Sequence, residues 1–352
     1  MSRTASFNET DFNSSNNSAL VEIGLGSRVR PDDAGGVEKK KDNPTFSLQF
    51  DIMAVVHKRN ATDLMEELKS VSLKDAVRFT ACARGGAHSW LTVHPLEEAL
   101  QLSNGEMVSA TRHMFGLSPI SESTPWYCRC GELVEAGHFH SCNRVHGPAT
   151  NTRHETVVAE LATFALSHLQ MHVERAPSIA TADGCLIEGA RHVVPDVVFR
   201  GVGVAFAIDV SFVYSESDGR VRRPLMSEES DLSKFVLSAM GERARTKVKK
   251  YEASCEEQDL RFTAFVADSH GALDASAKRV ISVLVSYGAA ELGCSRLDLD
   301  LYLRRRVAIA IQRGNARLDQ HAMRLSRGGY GRAIALGYVQ PRPGDVGGAA
   351  DQ

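Results

Sequence analysis

Two carboxylates stand inside a stretch otherwise made of apolar and β-branched residues. They are Asp196, directly after Pro195, and Asp209, in VPDVVFRGVGVAFAIDVSFVY from Val194 to Tyr214. A carboxylate among apolar neighbours is costly unless a cation or hydrogen-bond donors satisfy it. The flanking runs read as two strands and Gly201-Val202-Gly203 as the turn between them, a hairpin that sets positions 196 and 209 nearly opposite each other. Oxygen ligands paired in this way suit one divalent cation, and the chemistry expected is that of a metal-dependent nuclease. The plainer reading is a strand-edge aspartate beside one that hydrogen-bonds the backbone.

Further along, GERARTKVKKYEA places Lys247, Lys250 and Tyr251 at helical positions 0, 3 and 4, on one face. Hydrolysis of a phosphodiester calls for a metal to polarise the phosphoryl oxygen and acidify water, and a cation to orient the nucleophile and neutralise developing charge. Two aspartates and a lysine supply that set; a solvated basic helix face is the alternative. With a formal net charge of -2, any nucleic acid must be held by local patches rather than by the overall field. The basic residues of that helix, Arg243, Arg245 and Lys249 among them, and those of the 304 to 317 segment are expected to contact phosphates.

A third cluster, WYCRCGELVEAGHFHSC, packs Cys128, Cys130, His138, His140 and Cys142 into a short segment. Thiolates with one imidazole are what structural zinc selects, and so short a segment has too few apolar residues to hold its shape unaided. Cys128, Cys130, His138 and Cys142 form the best ligand set, with His140 competing for the place of His138; His146 is expected at the surface. Seven cysteines, an odd number with three of them clustered, suit metal binding better than a disulfide framework.

The elements that must position these groups follow from periodicity. Residues 1 to 45, rich in Asn, Ser, Gly and Asp, are expected to form a disordered arm. Residues 46 to 120 read as a helical connector: FSLQFDIMAVV, then short helices over ATDLMEELKS, capped by Thr62 or Asp63, and LKDAVRF. A Pro95-initiated helix and, after a Ser-Asn-Gly break, a second ending at Gly116 complete it. The knuckle spans 121 to 150. From 151 to 290 the pattern is a helix over residues 151 to 171 capped by Thr152, a strand at MHVERA, uncertain structure at 185 to 188, the hairpin, a polar loop, a helix from Asp231 or Ser233, a strand at RFTAFVAD and another helix. This order predicts an α/β fold, one mixed sheet covered by helices on both faces. A basic helical extension over 291 to 340 and a disordered tail over 341 to 352 close the chain. The absence of a signal peptide or membrane span predicts an intracellular or nuclear location.

Taken together, Cys-x-Cys, Gly-His-Phe-His-Ser-Cys, Arg153-His154, Pro195-Asp196, Asp209 and Lys247-x-x-Lys250-Tyr251 resemble the restriction-like endonuclease region of early-branching LINE-type retroelements. There a zinc knuckle joins a nuclease of the PD-(D/E)XK superfamily; the resemblance covers about residues 88 to 270 and lies in the ordered spacings. It implies a restriction-endonuclease-like fold in which Asp196 and Asp209 bind Mg2+ (or Mn2+). A lysine from the following helix, Lys247 or Lys250, then substitutes for the one that the superfamily's simple pattern places where Ser211 stands here. Tyr251 joins this set. The resemblance also implies a helix acid, Glu160 or Glu155, with Glu174 a third candidate, and phosphate contacts from Arg153 and His154. Such nucleases follow a reverse transcriptase, and this chain has no paired-aspartate polymerase motif, LDLDLY at 297 to 302 lying in a helical context. Expected partners are DNA and, in an element, its RNA or a reverse transcriptase on another chain. The competing expectation is a non-catalytic, zinc-containing DNA-binding protein.

Overall fold

The computed structural model describes residues 44–120, 126–142, 144–145, 148–177, 193–221 and 231–326. The expectations for residues 1 to 43, for residues 185 to 188, for His146 and for the tail lie outside these. Residues 44 and 45, assigned to the arm, instead begin helix α1, Pro44–Val71. This is one continuous helix, because Thr62 does not cap a new one: its hydroxyl donates to the Lys58 carbonyl, 3.0 Å away within the same helix. Helix α2, Leu73–Cys82, follows as expected, capped by Ser72.

The Pro95 helix is absent. Residues 98 to 100 make a single 3-10 turn, and α3, Asn104–Met114, begins where a break was expected. Ser103 and Glu106 form a reciprocal capping box there, satisfying two backbone donors. A short α4, His138–Ser141, lies in the knuckle.

The order predicted for the remainder is the order observed. Helix α5 spans Pro148–Leu169, so it starts earlier than Thr152, with proline as its first residue. Its predicted stripe, Val157, Val158, Leu161, Phe164, Ala165 and Leu169, is buried throughout. Strands β1 (His172–Arg175), β2 (Val197–Gly201) and β3 (Val204–Val213) form an antiparallel meander. Asp218–Val221 makes one helical turn, α6, before α7, Leu232–Glu256, capped by Asp231. Strand β4, Arg261–Asp268, returns parallel to β3, a crossover that needs the intervening helix. The result is one mixed sheet in the order β1-β2-β3-β4 with helices packed on it. Gly203, at φ 69°, supplies the left-handed residue of the β2-β3 turn, and Phe199 and Phe206 pair across the two strands with ring centroids 4.9 Å apart.

One sheet face, carrying Phe199, Phe206, Ile208, Val210 and Phe265, joins the α5 stripe, α8 (Ala275–Leu292) and α9 (Arg296–Ser326) in the main core. Alternation along β3 turns Asp209 and Ser211 to the opposite face, toward α7. The C-terminal extension is helical as expected over its described residues, and much of that helix is buried. Leu299, Leu303, Val307, Ala310 and Ile311 of α9 lie in the core, and Arg306 is buried against Glu160. No helix among the described residues is long and apolar enough to cross a membrane.

Beside this core three imidazoles stack, His140 on His113 and His113 on His270, with centroids 4.3 and 4.2 Å apart and planes within 9°. Burial, aided by the charges of its neighbours, holds His113 well below the usual histidine range. For His270, burial is outweighed by Cys82 and Glu216, which raise its pKa well above that range. The signs are opposite. As pH falls below about 6.5 the unfolded chain binds a proton that folded His113 refuses, so stability drops, by up to about 1.4 kcal/mol per pH unit. The His270 contribution is full below that pH and is lost as pH rises through its raised folded pKa. The fall in melting temperature between pH 6.5 and 5 is thus expected to be smaller in His113→Phe than in the parent, and an equal fall would exclude this role.

Candidate functional site

Asp196 stands one residue before β2, and its backbone N–H donates to Ile208 at 3.0 Å, extending the ladder so that it lies across from Asp209. Its Oδ2 accepts from the Val210 N–H at 2.6 Å and lies 2.8 Å from His154 Nε2 at the start of α5. Asp209, almost fully buried, has Oδ2 2.6 Å from Lys247 Nζ, an ion pair in which that oxygen makes no directed hydrogen bond. The face of α7 repeats every four residues along β3: Arg243 Nε donates to Ser211 Oγ at 3.0 Å, then comes Lys247 on Asp209, then Tyr251, stacked on Phe262 of β4.

Lys250 Nζ donates to the Tyr251 hydroxyl at 2.8 Å and lies 4.4 Å from the ring centroid. Burial, then the hydrogen bond and charge of Asp209 and the charge of Asp196, push the Tyr251 phenol well above its usual range, so it stays protonated. Burial disfavours the His154 imidazolium, but Asp196 and Glu155 outweigh it and raise its pKa. Asp209, three α7 cations and a phenol therefore share one face of the sheet, and Asp196 stands across the ladder from Asp209. Asp209 Oδ2, buried against the Lys247 ammonium, is a carboxylate oxygen of the kind a hard divalent cation takes.

In the knuckle, ligand atoms of Cys128, Cys130, His138 and Cys142 all lie within 4.8 Å of one another. Cys128 Sγ is 3.7 Å from Cys142 Sγ, and Cys130 Sγ is 3.4 Å from His138 Nε2. With zinc–sulfur bonds of about 2.3 Å, a tetrahedron has an S···S edge of about 3.8 Å, so the spacing fits zinc. Burial pushes the Cys130 thiol up to about 12 and raises Cys128 as well, a cost that a cation among the sulfurs removes. His138, lowered by burial, is neutral and ready to ligate, and its Nδ1 lies 3.7 Å from a Glu132 carboxylate oxygen. The competition between His138 and His140 is thereby resolved: His140 turns inward, to Arg153 and Asp319.

Several sequence expectations need correction. Arg153 is 5% exposed and cannot reach a phosphate; its partners are His140, Asn315 and the face of Phe212. Glu160 is engaged by Arg306 of α9. Glu174 pairs with Arg200 at 3.4 Å, and Glu155 with Arg175 at 2.5 Å; Glu155 Oε1 also lies 3.3 Å from Nδ1 of His154, the residue that holds Asp196. In the 304 to 317 segment Arg304 pairs with Asp300 and Arg306 with Glu160, Arg313 binds Glu98 and Gln101 carbonyls, and Arg317 reaches Thr156. These are intramolecular struts. Arg243, Arg245, Lys249 and Lys250 are exposed on α7.

The Arg243 contact to Ser211 was not foreseen; a cation on the helix facing a serine two residues after Asp209 is a signal the sequence did contain. No protein-family model matches the chain, and no curated protein matches it.

Proposed function

We propose that the chain is a metal-dependent DNA endonuclease of the PD-(D/E)XK type, a restriction-like domain joined to a zinc knuckle as in early-branching LINE-type retroelements. The observation that carries this reading is the Asp196 and Asp209 pair at the β2-β3 ladder with Lys247 Nζ 2.6 Å from Asp209, on a helix-meander-helix-strand order. Asp196 and Asp209 would hold Mg2+, which when bound polarises a phosphoryl oxygen and lowers the pKa of water.

The chain's own groups then do the remaining work. His154 and the Val210 N–H fix the Asp196 carboxylate, so it does not rotate away from its neighbour. Lys247, on Asp209, and Lys250, held by Tyr251, set positive charge where a cleaved phosphate gains negative charge. Arg243 occupies the space beside Ser211 that the superfamily pattern gives to lysine. Exposed Arg245 and Lys249 bind flanking phosphates. The substrate is DNA nicked in one strand, with element RNA or a reverse transcriptase on another chain as partners.

A second reading, a DNA-binding protein that does not turn over, draws on the same ion pairs, since Lys247 and His154 already neutralise both carboxylates. Relaxation of supercoiled plasmid by zinc-loaded chain, with Mg2+ and with EDTA, separates the two. The enzyme requires nicking that EDTA stops; DNA binding with no nicking in Mg2+ or Mn2+ supports the second. Under either reading, Arg245→Ala and Lys249→Ala are each expected to lower the slope of log affinity against log salt by about 0.9, the value of one phosphate contact. An unchanged slope in both would remove them from the interface.

A further inference from the structure

The knuckle and the acid pair are joined by one buried side chain. His140 lies between zinc ligands His138 and Cys142, and its Nδ1 is 3.0 Å from Arg153 Nη1. Arg153, in the first turns of α5, also reaches Asn315 Oδ1 of α9 at 3.4 Å and lays its guanidinium 4.4 Å over Phe212 of β3, three residues beyond Asp209. The next residue is His154, whose Nε2 holds Asp196. A Cβ at Gly314 would come 3.0 Å from Arg153 Cγ and 3.1 Å from its Cα, so α9 presses directly on this turn.

We infer that Arg153 is a positioning residue: it transmits the metal-held shape of the knuckle to His154 and Asp196, and so sets the affinity of the acid pair for its divalent cation. The physical case is that a buried guanidinium fixes its surroundings only when its donors are matched. Arg153 has few partners to spare, with Nε unpaired and burial lowering its pKa to about 10. Without the His140 acceptor, a buried charge loses one of the hydrogen bonds that hold it, and the guanidinium shifts. Any shift moves the turn that carries His154, and with it the hydrogen bond that orients the Asp196 carboxylate. Groups that orient metal ligands in this way typically cost tenfold or more in metal affinity when removed.

This inference rests on the proposed divalent-cation site, and the test keeps the two apart. Mn2+ affinity of zinc-loaded protein is measured by electron paramagnetic resonance, with zinc content and melting temperature recorded for each variant. Arg153→Met is expected to retain zinc yet bind Mn2+ about tenfold more weakly. Should Arg153→Met fail to fold, the His140 pair decides: His140→Leu, which lacks the acceptor, should weaken Mn2+ binding as much, whereas His140→Asn, which restores an acceptor near Nδ1, should recover most of it. Parent-like Mn2+ affinity in the folded Arg153→Met or His140→Leu variant, with only a lower melting temperature, would reduce Arg153 to a packing residue. A parent that binds no Mn2+ would instead overturn the nuclease reading and this inference with it.

Discussion

Asp209→Asn is expected to lower Mg2+-dependent nicking by about a thousandfold while DNA affinity stays near that of the parent. The carboxylate is the better buried of the two, and a carboxamide there keeps the shape but loses the charge that a divalent cation requires. The phosphate contacts proposed for α7 are made by other residues and should persist. The same pair makes a prediction about stability. On the proposed reading a divalent cation would compete for Asp209 Oδ2 with Lys247 Nζ, which lies 2.6 Å from that oxygen. In Lys247→Met the buried carboxylate is left unpaired, at a cost of about 3 to 5 kcal/mol for a pair broken in the interior, lessened here because the lysine is partly exposed. Mg2+ should return much of that loss, so its addition should raise the melting temperature of Lys247→Met more than that of the parent. Equal shifts in the two proteins would mean that the cation does not use Asp209.

The second large effect concerns the knuckle. Cys142→Ser, or prolonged chelation of the parent, is expected to release stoichiometric zinc and to expose the amides of residues 126 to 142 to exchange. The knuckle's small core, Cys128, Val134, Phe139, Cys142 and Val145, packs on Leu318 and Ala322 of α9, an area too small to close around empty thiols. Structural zinc contributes about 10 to 16 kcal/mol of apparent binding free energy at neutral pH, far more than such a cluster supplies. Metal analysis and hydrogen exchange read both effects. Purified parent without zinc, or unchanged exchange over 126 to 142 on chelation, would contradict the assignment.

Strong periodicity made much of this legible. The α5 stripe, the β2-β3 hairpin and the short apolar β4 run each carry a pattern that one secondary structure satisfies, and their order defines the mixed sheet. The Cys128, Cys130, His138 and Cys142 cluster, able to hold a metal ion, was legible because soft donors at short spacing have few other uses. The errors have separate physical causes. Pro95 suggested a helix start, but the capping box at Ser103 and Glu106 satisfies more backbone donors and wins. Thr62 resembled a cap, yet its hydroxyl is content with a carbonyl of the same helix.

The arginine-rich look of α9 concealed its apolar seam, because long cationic side chains run along the core and end on acids such as Glu160 and Asp300. Arg153 was misread for the same reason: charge predicts exposure until a buried partner such as His140 is known, and that partner lies in a different element. The apposition of Asp196 and Asp209 followed from turn position alone, whereas the hold of His154 on Asp196 depends on how α5 crosses the sheet, which no local pattern records.

The central claim, that Asp196 and Asp209 together hold the divalent cation of a nuclease, is met most directly by counting the sites. Mn2+ titrated into the zinc-loaded parent, with free ion followed by electron paramagnetic resonance, should show about one bound ion per chain beyond the knuckle, and Asp196→Asn and Asp209→Asn should each abolish it. Binding that survives both substitutions, or a parent that binds no Mn2+ at millimolar concentration, would contradict the account.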